Sequence, residues 1–98
     1  MKPLEQETLR LLARKYIWWK APDEALTHPE RIVTQVMNIG DYDDVRALFN
    51  LADEEYLRAV LQGAAAGEFN ERSWAYWHYR LGVSEAGEVP ALPRRRVA

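Results

Sequence analysis

Trp74-Ala75-Tyr76-Trp77-His78-Tyr79-Arg80-Leu81 holds two of the chain's four tryptophans and two of its five tyrosines. It spans about two helical turns. Trp74, Trp77 and Leu81 fall at i, i+3 and i+7, which predicts one stripe facing a core. Tyr76, Tyr79 and Arg80 lie off that stripe. A helix of this composition is aromatic almost all round, so it is either the centre of a small core or a contact surface. Asn70 is the expected N-cap of this helix and Gly82 its stop.

Working outward, helical signals recur at short intervals. The first helix is expected from about Leu4 to Trp18, with Leu9, Leu12, Ala13, Tyr16 and Ile17 as its apolar stripe. Arg10, Arg14 and Lys15 fill the opposite face. Ala21-Pro22 ends the pattern, because the residue before a proline is pushed out of the helical region. Pro29 suits the first turn of a second helix, with Thr27 or His28 as cap and Ile32, Val33, Val36 and Met37 as its buried face. Gly40 is expected to supply a left-handed stop. Asp41 and Asp53 then cap two further helices, with Asp43, Asp44, Glu54 and Glu55 at the ends where negative charge is favoured. Glycines from Gly63 to Gly67 weaken the end of the second of these.

The expected class is therefore all-α: a compact bundle of four to five short helices over residues 1–82. Residues 83–98, with Gly87, Pro90, Pro93 and Arg94-Arg95-Arg96, show no periodicity and read as an extended tail. At 98 residues one domain is expected. Hydrophobic residues at 48% and charged residues at 29% suit a globular chain rather than a disordered one. A net charge of -2 offers no overall field to gather nucleic acid or an anionic membrane. The absence of cysteine removes disulfides, thiol catalysis and thiolate metal sites, and fits a cytoplasmic location. Met1-Lys2-Pro3-Leu4-Glu5 lacks the order of a signal peptide.

No catalytic group, metal site or cofactor is expected. His28 and His78, the two histidines, lack a second ligand at helical spacing. Ser73 and His78 are i and i+5, off a common helix face. Asp41, Asp43 and Asp44 lack the glycine and glutamate of a calcium loop. Asp41 to Leu57 carries six acidic residues and one basic residue, Arg46, a local charge of -5. Helix capping accounts for these carboxylates, though together they would also make a negative edge favouring a basic partner. The pair of helices around Gly40 has the outline of a helix-turn-helix, but its second helix opens with carboxylates that a phosphate backbone would repel.

The remaining candidates are surfaces. Tyr76, Tyr79 and Arg80 combine the residue types that dominate interface hot spots. Trp18 and Trp19 are adjacent, and adjacent helical positions point about 100° apart, so both do not face one core. One of them is expected to be partly exposed, or the chain to have left the helix there; the pair then either packs across the bend before Pro22 or lends one ring to the patch made by the last helix. Arg94, Arg95 and Arg96 form the strongest local positive charge, suited to an acidic groove or a phosphate backbone by weak, salt-sensitive attraction.

Two stretches also carry a resemblance. One is Tyr16-Ile17-Trp18-Trp19-Lys20 with Pro29-Glu30-Arg31 and Gln35-Val36-Met37-Asn38-Ile39-Gly40-Asp41-Tyr42-Asp43-Asp44. The other is Asn70-Glu71-Arg72-Ser73-Trp74-Ala75-Tyr76-Trp77-His78-Tyr79-Arg80-Leu81-Gly82. Together they resemble a group of small all-helical bacterial proteins encoded beside nucleotidyltransferase-type toxins. The likeness spans roughly residues 10 to 90 and transfers no active site. It implies an antitoxin or accessory partner that restrains such a toxin. The alternative from a different class is a small DNA-binding transcriptional regulator using Arg10, Arg14, Lys15 and the arginine tail.

Overall fold

Six helices account for the regular structure of the computed structural model, which describes residues 4–85 and 87–94. They are α1 (Gln6–Tyr16), α2 (Pro22–Ala25), α3 (Pro29–Ile39), α4 (Tyr42–Leu51), α5 (Glu54–Gln62) and α6 (Glu71–Arg80). No strand occurs among the described residues, so the all-α class holds. None of these helices is long and apolar enough to cross a membrane. The sixth element beyond the four or five expected is α2, a single turn that four residues are too few to announce by periodicity.

The centre of the bundle is α3, which packs against all five other helices. Ile32, Val33 and Val36 on it have no exposed surface, and Leu9, Leu48, Leu57, Leu61 and Trp77 close around them. The aromatic helix α6 is therefore peripheral: it packs on α3 and α5 and keeps an outer side. Its first two turns also finish α3. The last carbonyls of a helix have no partner within it. Trp77 Nε1 donates to the Met37 carbonyl at 2.7 Å and Ser73 Oγ to the Asn38 carbonyl at 2.7 Å.

Local capping explains where the helices start. Asp41, Asp53 and Asn70 sit in extended backbone, and their side chains accept the N–H groups of Asp44, Tyr56 and Ser73. At α3 the N-cap is His28, with no side-chain cap bond, while Thr27 donates instead to the Glu24 carbonyl. Two expected ends differ. α1 stops at Tyr16 rather than Trp18, because Ile17 leaves the helical region at φ -124 to enter the core. Gly40 is extended, at φ -67, and is no left-handed stop. It is small for another reason: a Cβ there would stand 2.4 Å from the Val36 carbonyl oxygen.

Gly82 does take the left-handed conformation, at φ 67. The N–H groups of Gly82 and Val83 return to the Tyr79 and His78 carbonyls, which closes α6 and reverses the chain. The segment after it has no helix among its described residues, but it is not detached. Val83, Val89 and Leu92 are half-buried against the core, and Trp74 Nε1 donates to the Pro90 carbonyl at 2.7 Å.

Candidate interaction surfaces

The turn after α1 places its two tryptophans outside. Once Ile17 has taken the core position, the chain bends, with Lys20 N–H donating to the Ile17 carbonyl. Trp18 is left 75% exposed and Trp19 56% exposed. Their rings meet edge to face, 5.7 Å apart at 89°, the arrangement the ring quadrupoles favour. Trp19 is also one wall of a groove bounded by α2, α3 and the α5–α6 loop. Lys20 and Arg31 on that groove are balanced by Glu24 and Glu68.

On α6, Tyr76 is 51% and Tyr79 48% exposed, while Trp74 and Trp77 are buried as their stripe requires. Arg80 is committed within the chain. Its guanidinium lies 4.7 Å over the Phe49 ring and 3.6 Å from Glu54 Oε1. Tyr76 lines a second groove together with Ile39 and Tyr42, both largely exposed, and Arg72. The grooves of Trp19 and Tyr76 have no lining residue in common. Ile39 and Tyr42 escape a sequence reading because they stand at the last position of α3 and the first of α4, where a stripe has fewest neighbours to define it. Arg94 is exposed, and Arg95 and Arg96 lie outside the described residues.

The acidic cluster is largely engaged. Lys15 Nζ lies 2.8 Å from Asp41 Oδ2 and 2.6 Å from Asp44 Oδ2, and the Tyr16 hydroxyl donates to the same Asp44 oxygen. The Asp41 N–H donates back to Tyr16 Oη. Hydrogen bonding to Asp41, then to Asp44, raises the Lys15 pKa. The Lys15 hydrogen bond and the Asp44 N–H hold the Asp41 carboxyl below its ordinary range. Burial, then the bond to Asp44, pushes the Tyr16 phenol up. These groups fasten the end of α1 to the start of α4, and so fix the turn that carries Trp18 and Trp19. Glu54 is likewise paired, with Arg58 at 3.0 Å and with Arg80.

The histidines stand apart. His28 is exposed, with Nδ1 3.4 Å from Glu30. His78 is buried, and its Nδ1 lies 2.7 Å from the Trp74 carbonyl, an acceptor, so that nitrogen carries the hydrogen. Among the described residues no group of three His, Cys, Asp or Glu is placed to hold a metal ion. Compared with known proteins, the chain matches no family model, no curated protein and no solved structure.

Proposed function

We propose that this chain is a non-enzymatic protein-interaction module in the cytoplasm that binds and restrains another protein. The observation that carries this reading is the Trp18–Trp19 pair. Two large rings stand outside a filled core, braced edge to face on a turn held by Lys15, Tyr16, Asp41 and Asp44. Tryptophan is the residue most enriched among binding hot spots, and a braced pair loses little freedom on docking. Tyr76 and Tyr79 offer further aromatic surface on α6. The partner we propose is a nucleotidyltransferase-type toxin, on the resemblance of residues 16–20, 29–31, 35–44 and 70–82 to small bacterial proteins encoded beside such toxins.

The test is affinity capture from the native host with the whole chain and with its Trp18→Ala/Trp19→Ala variant. The expected result is one nucleotidyltransferase-type protein held by the first and lost by the second, at unchanged helix content. Capture that survives the double substitution overturns the assignment of the surface. A specific partner of another class overturns the toxin assignment alone.

The DNA-binding alternative finds less support. Arg10 is paired with Asp23 at 2.7 Å, and Lys15 with Asp41 and Asp44, so two of its cations are already engaged. Sub-micromolar binding in a mobility-shift assay at about 0.15 M salt would promote it.

A further inference from the structure

Val89-Pro90-Ala91-Leu92-Pro93-Arg94 places two prolines three residues apart in the segment that follows α6. Such a sequence favours the polyproline II helix, with three residues per turn and no internal hydrogen bonds. Burial is compatible with that period without being strictly periodic. Val89 and Leu92 are half-buried against the core and Pro93 beside them is half-buried too, while Pro90 and Ala91 are exposed. Among the described residues no backbone–backbone hydrogen bond joins residues 89–94 to the bundle. The Pro90 carbonyl accepts from an indole that stands within an aromatic cluster. Trp74 has Phe69 at 5.7 Å and His78 at 4.3 Å, ring centre to ring centre, and its Nε1–H reaches the Pro90 carbonyl at 2.7 Å. An aromatic surface with a donor for a carbonyl of a preformed polyproline segment is a general means of holding proline-rich peptides. The fixed φ of each proline lowers the entropy lost on docking.

We propose that the Phe69–Trp74–His78 surface is a binding site for extended proline-containing peptides, filled in cis by Val89–Pro93 as a displaceable occupant. The inference does not rest on the Trp18–Trp19 reading. Two features make the occupant displaceable. The segment is reached through Gly82 and Gly87, both at positive φ, and the described residues of this connection form no helix. Among the described residues its hydrogen bond to the bundle is the one from Trp74 to the Pro90 carbonyl, whereas the Trp77 indole N–H is fixed to Met37 in the interior. A short tether holds its own ligand at an effective concentration of about 1 mM, enough to mask a site of modest affinity.

Two measurements on full-length protein test this. In the unaltered chain, exchange of the Trp74 indole proton requires only release of the segment, and that of Trp77 requires opening of the bundle. The Trp74 proton is expected to exchange at least about tenfold faster. Equal rates overturn the proposal, because the segment is then part of the cooperative core. In the second measurement, Val89→Asp/Leu92→Asp removes the two apolar anchors, and a synthetic peptide spanning residues 88–94 is added. The expected result is a saturable shift of the Trp74 indole resonance. For a peptide Kd of about 0.1 mM, the unaltered chain should bind about tenfold more weakly, because its own tether competes. A peptide carrying Pro90→Ala/Pro93→Ala should not bind. The proposal is overturned if the double variant keeps its helix content yet shows no shift at millimolar peptide, if the alanine peptide binds equally, or if the double variant unfolds.

Discussion

Trp74 and Trp77 on α6 and Trp18 and Trp19 after α1 have the same chemistry and opposite fates. The first pair is buried, and each indole N–H has a carbonyl partner. The second pair stands outside, one ring against the other. Spacing makes the difference. Three residues apart, two tryptophans share one helix face and can enter a core together. Side by side at a helix end they cannot, and Ile17 takes the interior place beside them. The buried pair is held by packing, whereas the turn of the exposed pair is held by charge and by one phenol. Aromatic content therefore says little about function until the spacing is known.

The largest expected effect tests the two fates directly. Trp77→Ala should destabilise the fold by about 3–5 kcal/mol, the usual range for emptying a buried aromatic site. Trp18→Ala should stay within about 0.5 kcal/mol, as for surface positions generally. Chemical denaturation of both variants measures this, and similar losses would erase the contrast. Next in size is a comparison inside α6. Trp77→Phe leaves the Met37 carbonyl, at the buried end of α3, without its donor, and about 1–3 kcal/mol is expected. Trp74→Phe should cost less, because Pro90 is exposed and water can replace the indole. The reverse order would mean that the segment after α6 is as firmly built in as α3.

Tyr16→Phe comes third and acts on the other region. It removes the hydroxyl that bonds Asp44 and accepts the Asp41 N–H, but it keeps the buried ring. About 1–2 kcal/mol is expected by thermal or chemical unfolding. A variant as stable as the parent would show that the hydroxyl adds nothing to the turn of Trp18 and Trp19, leaving it to the Lys15 pairs and Ile17.

The same contrast marks what the sequence could disclose. Periodicity found the stripes of α1 and α3, and capping chemistry found the starts of α4, α5 and α6 at Asp41, Asp53 and Asn70. Both are local signals, complete within four or five residues. Most of what escaped depends on distant neighbours. Gly40 is the exception: it is small because Val36, one turn earlier, lies beneath it, and composition alone does not distinguish that from a left-handed stop. Val89 and Leu92 pack in a segment whose three-residue period is neither helix nor strand. Helix geometry placed Tyr76 and Tyr79 off the core stripe, and both are half exposed. Tyr42 and Ile39 beside Tyr76 were hidden, since their meeting requires the packing of α6 on α3. What these side chains bind is carried by no spacing, because an interface leaves no periodic mark on one partner alone.

The smallest expected effect concerns the charges at the turn. Asp41 is held below its ordinary value of 3.8. A carboxylate with a depressed folded pKa contributes stability that is present above its unfolded value and lost as pH falls through the folded one. Lys15 and Tyr16 are shifted upward from 10.5 and 10.0, so their contributions are present below those values and lost as pH rises through the raised ones. The stability difference between the parent and Lys15→Met should therefore be flat from about pH 5 to pH 9 and shrink below about pH 4. It should also shrink in about 1 M salt, because Lys15 and Asp41 are exposed and such pairs are screened. Substitutions at Trp77 should show neither dependence, since no charge enters that site. A Lys15→Met difference that persists unchanged at pH 2 and in high salt would mean that the lysine stem, not its charge, holds the turn. The two tryptophan regions would then both rest on packing and differ only in which side of the chain their rings were left to face.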